Sequence, residues 1–294
     1  MRATSLVTVA DGDLHVEAID DPDTFARVGG AWIASHPFDA NVIGSVLASA
    51  QASEPADRPD NLWFVVTDDS GDVVGVAMHT AGMGVFLPEL PPGAAEALAE
   101  AVFGRNRRPP GANGDPEAAR AFCLAWHRLT GMTWEQANAS ILYVLVNPVS
   151  PTEVPGALRL ATADDIDHVT EWSEKFVAEA DAPNQPGDQR ATTIRRIAHE
   201  QILLWSVEGE VVSMAAVAAS VGGVARVYLV YTPPHQRGRG YGTAVSAGAT
   251  WTALERGADL CMLYADTANP VANAVYQRIG YREHSESVVL KFRT

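Results

Sequence analysis

Lysine is almost missing from this chain. Lys175 and Lys291 are the only two in 294 residues, a scarcity that reads as coding bias rather than chemistry. Positive charge of either kind is short: Lys+Arg total 21 against 36 Asp+Glu, a formal net charge of −15. Affinity for nucleic acid comes mainly from neutralising phosphates with Lys and Arg, so this balance speaks against DNA or RNA as a partner. It also disfavours anionic membrane surfaces and suits cationic partners such as amines. Cysteine is scarce too. Cys123 and Cys261 lie in apolar stretches (AFCLAW, DLCMLY), where a free thiol behaves as a small hydrophobe. No disulfide framework is implied, and a reduced, intracellular protein is expected. Long apolar runs are absent: none approaches the ~20 residues of a membrane helix. The start, MRATSLVTVADGD, lacks the apolar core of a signal peptide. A cytoplasmic location is the expectation, with no membrane partner.

What is present is ordinary for a folded domain: 47% hydrophobic and 19% charged residues, with 24 Gly and 18 Pro. That composition excludes a disordered or fibrous chain. At roughly 100–200 residues per domain, the length fits one large or two medium domains. A stretch rich in proline, residues 147–156 (NPVSPTEVPG), can continue neither a helix nor a central strand. It divides the chain into similar halves.

The halves repeat each other weakly. Residues 62–78 (LWFVVTDDSGDVVGVAM) and 203–216 (LLWSVEGEVVSMAA) each read as two β-rich runs joined by an acidic, glycine-containing turn. Upstream, Asp20-Asp21 and Asp164-Asp165 each open an amphipathic helix, where Asp suits the cap and the helix dipole. Downstream, VFLPELPP and VYLVYTPP are strands ending in Pro-Pro. Trp63 to Trp205 and Pro91 to Pro233 both span 142 residues. Shared order and offset point to a tandem duplication.

After Pro-Pro the copies diverge. The second continues HQRGRGYGTAVSAGATWTALERG, the first GAAEALAEAVFGR. Residues 227–231 read as a buried strand, and 243–256 as a helix with Gly257 after its end. Between them lie Arg237, Gly238, Arg239, Gly240, Tyr241 and Gly242. Strand, glycine loop and helix N-terminus together make a cradle for an anion such as a pyrophosphate. A Walker A loop is excluded because no lysine is present. A Rossmann fingerprint fails because Thr243 stands where the third glycine belongs.

A second motif follows the strand LCMLYAD. In TANPVANAVYQRIGY, Asn269 suits an N-cap with Pro270 in the first turn, and Gly280 ends the helix. Asn269, Asn273 and Tyr276 share one helical face. The pattern Arg-x-x-Gly-x-Gly (Arg237, Gly240, Gly242), followed by Asn, a short helix, Tyr and Gly-Tyr, resembles the coenzyme A loop and motif B of the GCN5-related N-acetyltransferase (GNAT) superfamily. The resemblance covers residues 158 to 294, and the first half resembles a degenerate copy.

That resemblance implies an α+β (mixed α/β) fold of two tandem GNAT-like domains, each with a mostly antiparallel twisted central sheet flanked by helices. The division expected is 1–150 for the degenerate copy, 151–157 for a linker and 158–294 for the catalytic domain. It implies acetyl-CoA as acyl donor, no metal, and direct transfer of acetyl to a small-molecule or peptide amine by a monomer or homodimer. Backbone groups from Arg237 through Thr243, including Gly238, Arg239, Gly240, Tyr241 and Gly242, would hold the pyrophosphate. Edge groups of Val230, Tyr231 and Thr232 would pair with the pantetheine arm, touched also by Asn269 and lined by Ala272 and Asn273. Tyr276 would be the general acid for the departing thiolate.

The base is where the sequence departs from the family, because residues 224–234 hold no carboxylate. Glu171, Glu174, Glu179 and Asp181 are available on the preceding helix, and Glu179 is the candidate because the helix breaks just after it. His199 and His284 lack ligand-like neighbours, His235 is a loop histidine, and no cluster has zinc spacing. Residues 181–196 form either a lid or a surface loop. Residues 104–117 (GRNRRPPGANGDPE) read as a connector without regular structure. Two other readings stand beside the enzyme: a non-catalytic acyl-CoA-binding regulatory or scaffold protein, and a nucleotide-binding enzyme using the same loop.

Overall fold

The computed structural model describes residues 6–8 (backbone only), 14–55, 58, 60–150, 154–179 and 188–293. The first half of the sequence forms β1 (Leu6–Thr8), β2 (Leu14–Ile19), α1 (Pro22–Ser35), α2 (Asn41–Gln51), β3 (Asn61–Asp68), β4 (Val73–Thr80), β5 (Val85–Leu87), α3 (Ala94–Gly104), β6 (Gly111–Gly114), α4 (Pro116–Thr130) and β7 (Thr133–Leu145). The second forms β8 (Ala157–Leu160), α5 (Ile166–Glu179), α6 (Gln189–Ala198), β9 (Ile202–Val207), β10 (Glu210–Val217), β11 (Val224–Tyr231), α7 (Tyr241–Glu255), β12 (Leu260–Asp266), α8 (Pro270–Arg278) and β13 (Tyr281–Arg293). The fold is mixed α/β, with helices flanking mostly antiparallel sheets. No helix among the described residues is long and apolar enough to cross a membrane.

The chain divides into two compact units, Met1–Ser140 with Glu286–Thr294, and Ile141–Ser285. This division differs from the one drawn on the sequence. Residues 141–145 of β7 belong to the second unit, and residues 286–293 of β13 to the first.

In the first unit, β1 to β4 are consecutive antiparallel strands. β4 pairs antiparallel with β5, β5 parallel with β6, and β6 antiparallel with residues 288–291 of β13. The connector expected over 104–117 is therefore corrected: it contains β6 and the start of α4. Pro109 and Pro110 precede the strand rather than interrupt it, and the Pro110 carbonyl accepts the Phe292 N–H at 2.9 Å. The neighbouring arginines are structural as well, Arg107 forming a bidentate pair with Asp60. Asp21 caps α1 by accepting from the Thr24 N–H at 2.8 Å. Leu62, Phe64, Leu87, Leu98, Phe122 and Trp126 build the core between the sheet and α3 and α4. Phe292 stacks on Trp126 at 5.7 Å.

In the second unit, α7 lays Val245, Ala249 and Ala253 against Leu203, Ala215 and Val227. On the opposite face α5 sets Val169 and Trp172 against Leu204, Met214 and Tyr231. The start of α5 is fixed by a capping box between Thr162 and Asp165. Arg159 grips the Asp165 carboxylate with two bonds of 2.8 Å, the main reason that its pKa falls to about 2.

His79, on β4, is 2% exposed, and neither ring nitrogen has a hydrogen-bond partner. Burial, helped by the Arg107 charge, pushes its pKa down to about 4. The folded state thus favours the neutral ring while the unfolded chain binds a proton near pH 6.5. Stability is present in full above that pH and drains away between pH 6.5 and 4, by about 3 kcal/mol. Urea unfolding across this window tests the expectation. His79→Leu should reduce the proton uptake on unfolding by roughly one, and an unchanged pH slope would contradict it.

Candidate active site

The site begins where two strands part. β11 and β12 are paired in parallel only over residues 224–226 and 260–262. Both strands continue, to Tyr231 and Asp266, with no further ladder between them. A bulge in β11 accompanies the separation. Met214 faces Tyr231 and Ala216 faces Tyr228, so Leu229 and Val230 together oppose Ala215. Leu229 takes φ +52°, a conformation that a branched residue adopts at a cost of about 1–3 kcal/mol. The outcome is a slit at the carboxyl ends of two parallel strands, the usual ligand position in such sheets. Val230 and Tyr231 end β11 beside it, and Thr232 follows.

The loop above the slit runs from a short helical turn at Pro234–Gln236 to Gly240, the N-cap of α7. Gly240 has φ +85°, which only glycine adopts freely, and a Cβ there would sit 3.2 Å from Val154. The N–H groups of Gly238, Arg239, Gly240, Tyr241, Gly242 and Thr243 make no backbone hydrogen bond among the described residues. The first helical bond comes from the Ala244 N–H. A row of free donors at a helix N-terminus is what an anion requires.

The Arg237 side chain is committed to the protein. Its Nε donates to the Thr232 carbonyl at 2.8 Å, and its Nη2 pairs with Glu179. Glu179, the last residue of α5, also accepts from the Tyr231 hydroxyl at 3.0 Å. The Arg237 contact is the main reason that the Glu179 pKa is lowered. Burial first, then Glu179, raises the Tyr231 phenol. Trp172 packs edge-on against Tyr231 with ring centres 5.6 Å apart. Ser213, fully buried, donates to the Tyr231 carbonyl at 3.0 Å and lies 2.8 Å from the Thr232 hydroxyl.

On the other flank, α8 follows β12. Asn269 caps it, accepting from the Ala272 N–H at 3.0 Å. Asn273 donates to the carbonyls of Asp266 and Asn269, both at 2.9 Å, and its buried Oδ1 has no partner. That leaves an acceptor for a ligand N–H beside the end of β12. Tyr276 is buried, and burial raises its phenol to about 12. Its ring neighbours are Tyr143 and Tyr281.

Glu179, Tyr231, Thr232 and Arg237 are thus joined in one network, and Asn269, Ala272 and Asn273 lie together on α8. Tyr276 makes its ring contacts with Tyr143 and Tyr281 instead. Residues 181–187 of the suggested lid, Asp181 included, fall outside the described residues, while residues 189–198 form α6. Sequence reasoning missed Ser213, Trp172 and Leu229. Only the Trp172 position had a signal, as an aromatic on the helix preceding the hairpin. Among the described residues no group of three or more His, Cys, Asp or Glu could hold a metal ion.

Among its described residues the first unit shows no such slit. β5 and β6 stay paired over residues 85–87 and 112–114, and the Asp115 N–H still bonds the Leu87 carbonyl at 2.8 Å. α3 keeps a left-handed glycine N-cap, Gly93 at φ +86°, but the long loop is absent and Glu96 occupies the first turn.

Comparison with known proteins agrees with this geometry. The profile of the Acetyltransferase (GNAT) family matches residues 166–281. A mycothiol acetyltransferase of Thermobispora bispora is 27% identical over 193 residues, covering 61% of this chain and 64% of the relative. That of Clavibacter michiganensis subsp. michiganensis is 26% identical over 243 residues, covering 76% and 78%. Among solved structures, a Drosophila protein aligns over 99% of both chains with TM-score 0.66 and 16% identity. A GCN5-related N-acetyltransferase from Sphaerobacter thermophilus aligns over 95% of both chains with TM-score 0.59 and 14% identity. A tandem GNAT protein from the clavulanic acid biosynthesis pathway covers 95% of this chain and 98% of its own, with TM-score 0.56 and 15% identity. These structural likenesses carry the fold. With motifs and family profile in agreement, residues 166–281 are a domain of the Acetyltransferase (GNAT) family, and the fold of the chain is that of the solved GNAT structures.

Proposed function

We propose that this chain transfers acetyl directly from acetyl-CoA to an amine, at the slit between β11 and β12. The observation that carries the reading is the pairing of an open slit with a glycine cradle in the second unit, where the first unit has neither. The residues present fit the donor. Six consecutive N–H groups await an anion, and the orphaned Asn273 Oδ1 awaits an N–H from the arm.

When bound, the donor supplies a reactive thioester and a thiolate leaving group. Backbone N–H groups of residues 238–243 bind its phosphates, and the N-terminal dipole of α7 adds to the attraction. Edge groups of residues 230–232 that are not already bonded orient the arm as one more strand, the Tyr231 and Thr232 carbonyls being taken by Ser213 and Arg237, and an N–H there polarises the carbonyl. Tyr276 holds its proton at Oη, since burial keeps the phenol neutral, and is the general acid. Glu179 stays ionised and takes up the proton of the amine through the Tyr231 hydroxyl, which already donates to it. The acceptor is a small-molecule or peptide amine. The mycothiol-related acetylation that names two of the relatives is the first reaction to assay. A cytoplasmic location, consistent with two buried free thiols, completes the reading.

The binding test is thermal melting with acetyl-CoA, CoA, ATP and NAD in parallel. A ligand specific for the folded state raises Tm in a concentration-dependent way. Acetyl-CoA and CoA should raise it, ATP and NAD should not, and Gly240→Glu should abolish the effect. No shift at millimolar CoA would sink the reading, while a shift without turnover of any amine would mark a binding protein. In steady-state assays, Tyr276→Phe is expected to lower kcat by roughly 10²–10⁴ with donor affinity unchanged. Unchanged kcat would remove the acid role. Glu179→Gln should lower kcat/KM for the amine by roughly 10². Its effect on donor affinity should stay within about tenfold, since an exposed ion pair is worth about 1 kcal/mol at most.

A further inference from the structure

The helix that carries Tyr276 is seated by a segment from the first half of the sequence. Residues 141–149, which include the end of β7, lie in the second unit. Three backbone bonds clamp them to the carboxyl end of α8. The Val146 and Asn147 N–H groups donate to the Gly280 carbonyl at 3.1 and 3.4 Å, and the Val149 N–H donates to the Ile279 carbonyl at 3.1 Å. The approach is close enough to require glycine: Gly280 has φ +107°, and a Cβ there would lie 1.7 Å from the Asn147 carbonyl oxygen.

Tyr143 makes the side-chain part of this clamp. It is fully buried, and its ring centre stands 6.4 Å from that of Tyr276. Its hydroxyl donates to Glu283 at 3.4 Å and accepts from Gln277 at 3.4 Å, and Gln277 also donates to Glu283 at 3.3 Å. Gln277 is the residue next to Tyr276. On the other side, Tyr281 meets the Tyr276 ring edge-on at 6.4 Å, itself tied to Thr250 at 2.8 Å. The Tyr276 ring is bracketed by two aromatics whose hydroxyls are both fastened.

We propose that residues 141–149 are a positioning element for Tyr276, with Tyr143 as the positioning residue. The inference rests on the acid role assigned to Tyr276 above. A proton donor displaced by about 1 Å loses roughly 10² in rate, so seating the ring is worth a strand.

The test uses the full chain and four variants: Tyr143→Leu, Tyr143→Phe, Tyr276→Phe and the double Tyr143→Leu/Tyr276→Phe. Tyr143→Leu should lower kcat by roughly 10- to 100-fold, with KM for acetyl-CoA within about twofold and the CoA-induced rise in Tm retained. Tyr143→Phe keeps the ring and should lose less. It also serves as the measured variant should Tyr143→Leu fail to fold. In the Tyr276→Phe background the Tyr143→Leu loss should vanish, because both act through one group. A loss of the same size in that background would overturn the inference. Seating is read separately by fluorine NMR of the chain labelled with 3-fluorotyrosine, the Tyr276 resonance being identified by its disappearance in Tyr276→Phe. Tyr143→Leu should split or broaden it, and a single sharp line as in the parent would also overturn the inference. Should Tyr276→Phe leave kcat intact while Tyr143→Leu still splits the resonance, the acid role falls and the seating stands.

Discussion

The separation of β11 from β12 after residues 226 and 262 is the constraint on which the rest of the second unit turns. A strand edge inside a fold carries N–H and C=O groups that need partners. Elsewhere in this sheet the neighbouring strand supplies them. Past the bulge at Leu229 it does not, and the free edge becomes a place for a ligand to add itself. The surroundings then follow in order. The loop places free N–H groups above one end of the slit, α8 stands along its other flank, and α5 closes the face where Tyr231 emerges. Among the described residues of the first unit, β5 and β6 stay paired to their ends and leave no such opening between them.

Charge is distributed accordingly. The chain is strongly acidic, and one of the two arginines of its glycine loop is already committed. Arg237 spends its guanidinium on Glu179 and on the Thr232 carbonyl, which fixes the path of the loop. Attraction for an anion is left to the backbone dipoles and to the exposed Arg239. Tyr276 is kept protonated by burial and Glu179 ionised by its arginine. The two residues proposed as acid and base are thus held in opposite protonation states by two different environments.

Much of this was legible because it is local. Asp21 and Asn269 announce their caps, and the acidic turns announce both hairpins. The glycine spacing at 238, 240 and 242 announces the loop. What was illegible depends on partners distant in sequence. VARVYLVY alternates like any strand, and nothing in it marks Leu229 as the bulge. GANG has no strand propensity, and β6 exists because neighbours on both sides supply its ladder. Ser213 is one hydroxyl in a hairpin until Tyr231 and Thr232 come to lie beside it. Tyr143 lies outside the half whose motifs matched the family, so its place beside Tyr276 could emerge only from the fold.

The interleaving of the two half-sequences also sets a schedule for synthesis. Residues 141–145 complete the second unit and 286–293 complete the first. The ribosome makes the body of the first unit early, but that unit lacks the strand beside β6 until the last residues emerge. At about 5–20 residues per second the wait is roughly 10–30 s. Through that interval one edge of β6 is open to any passing strand.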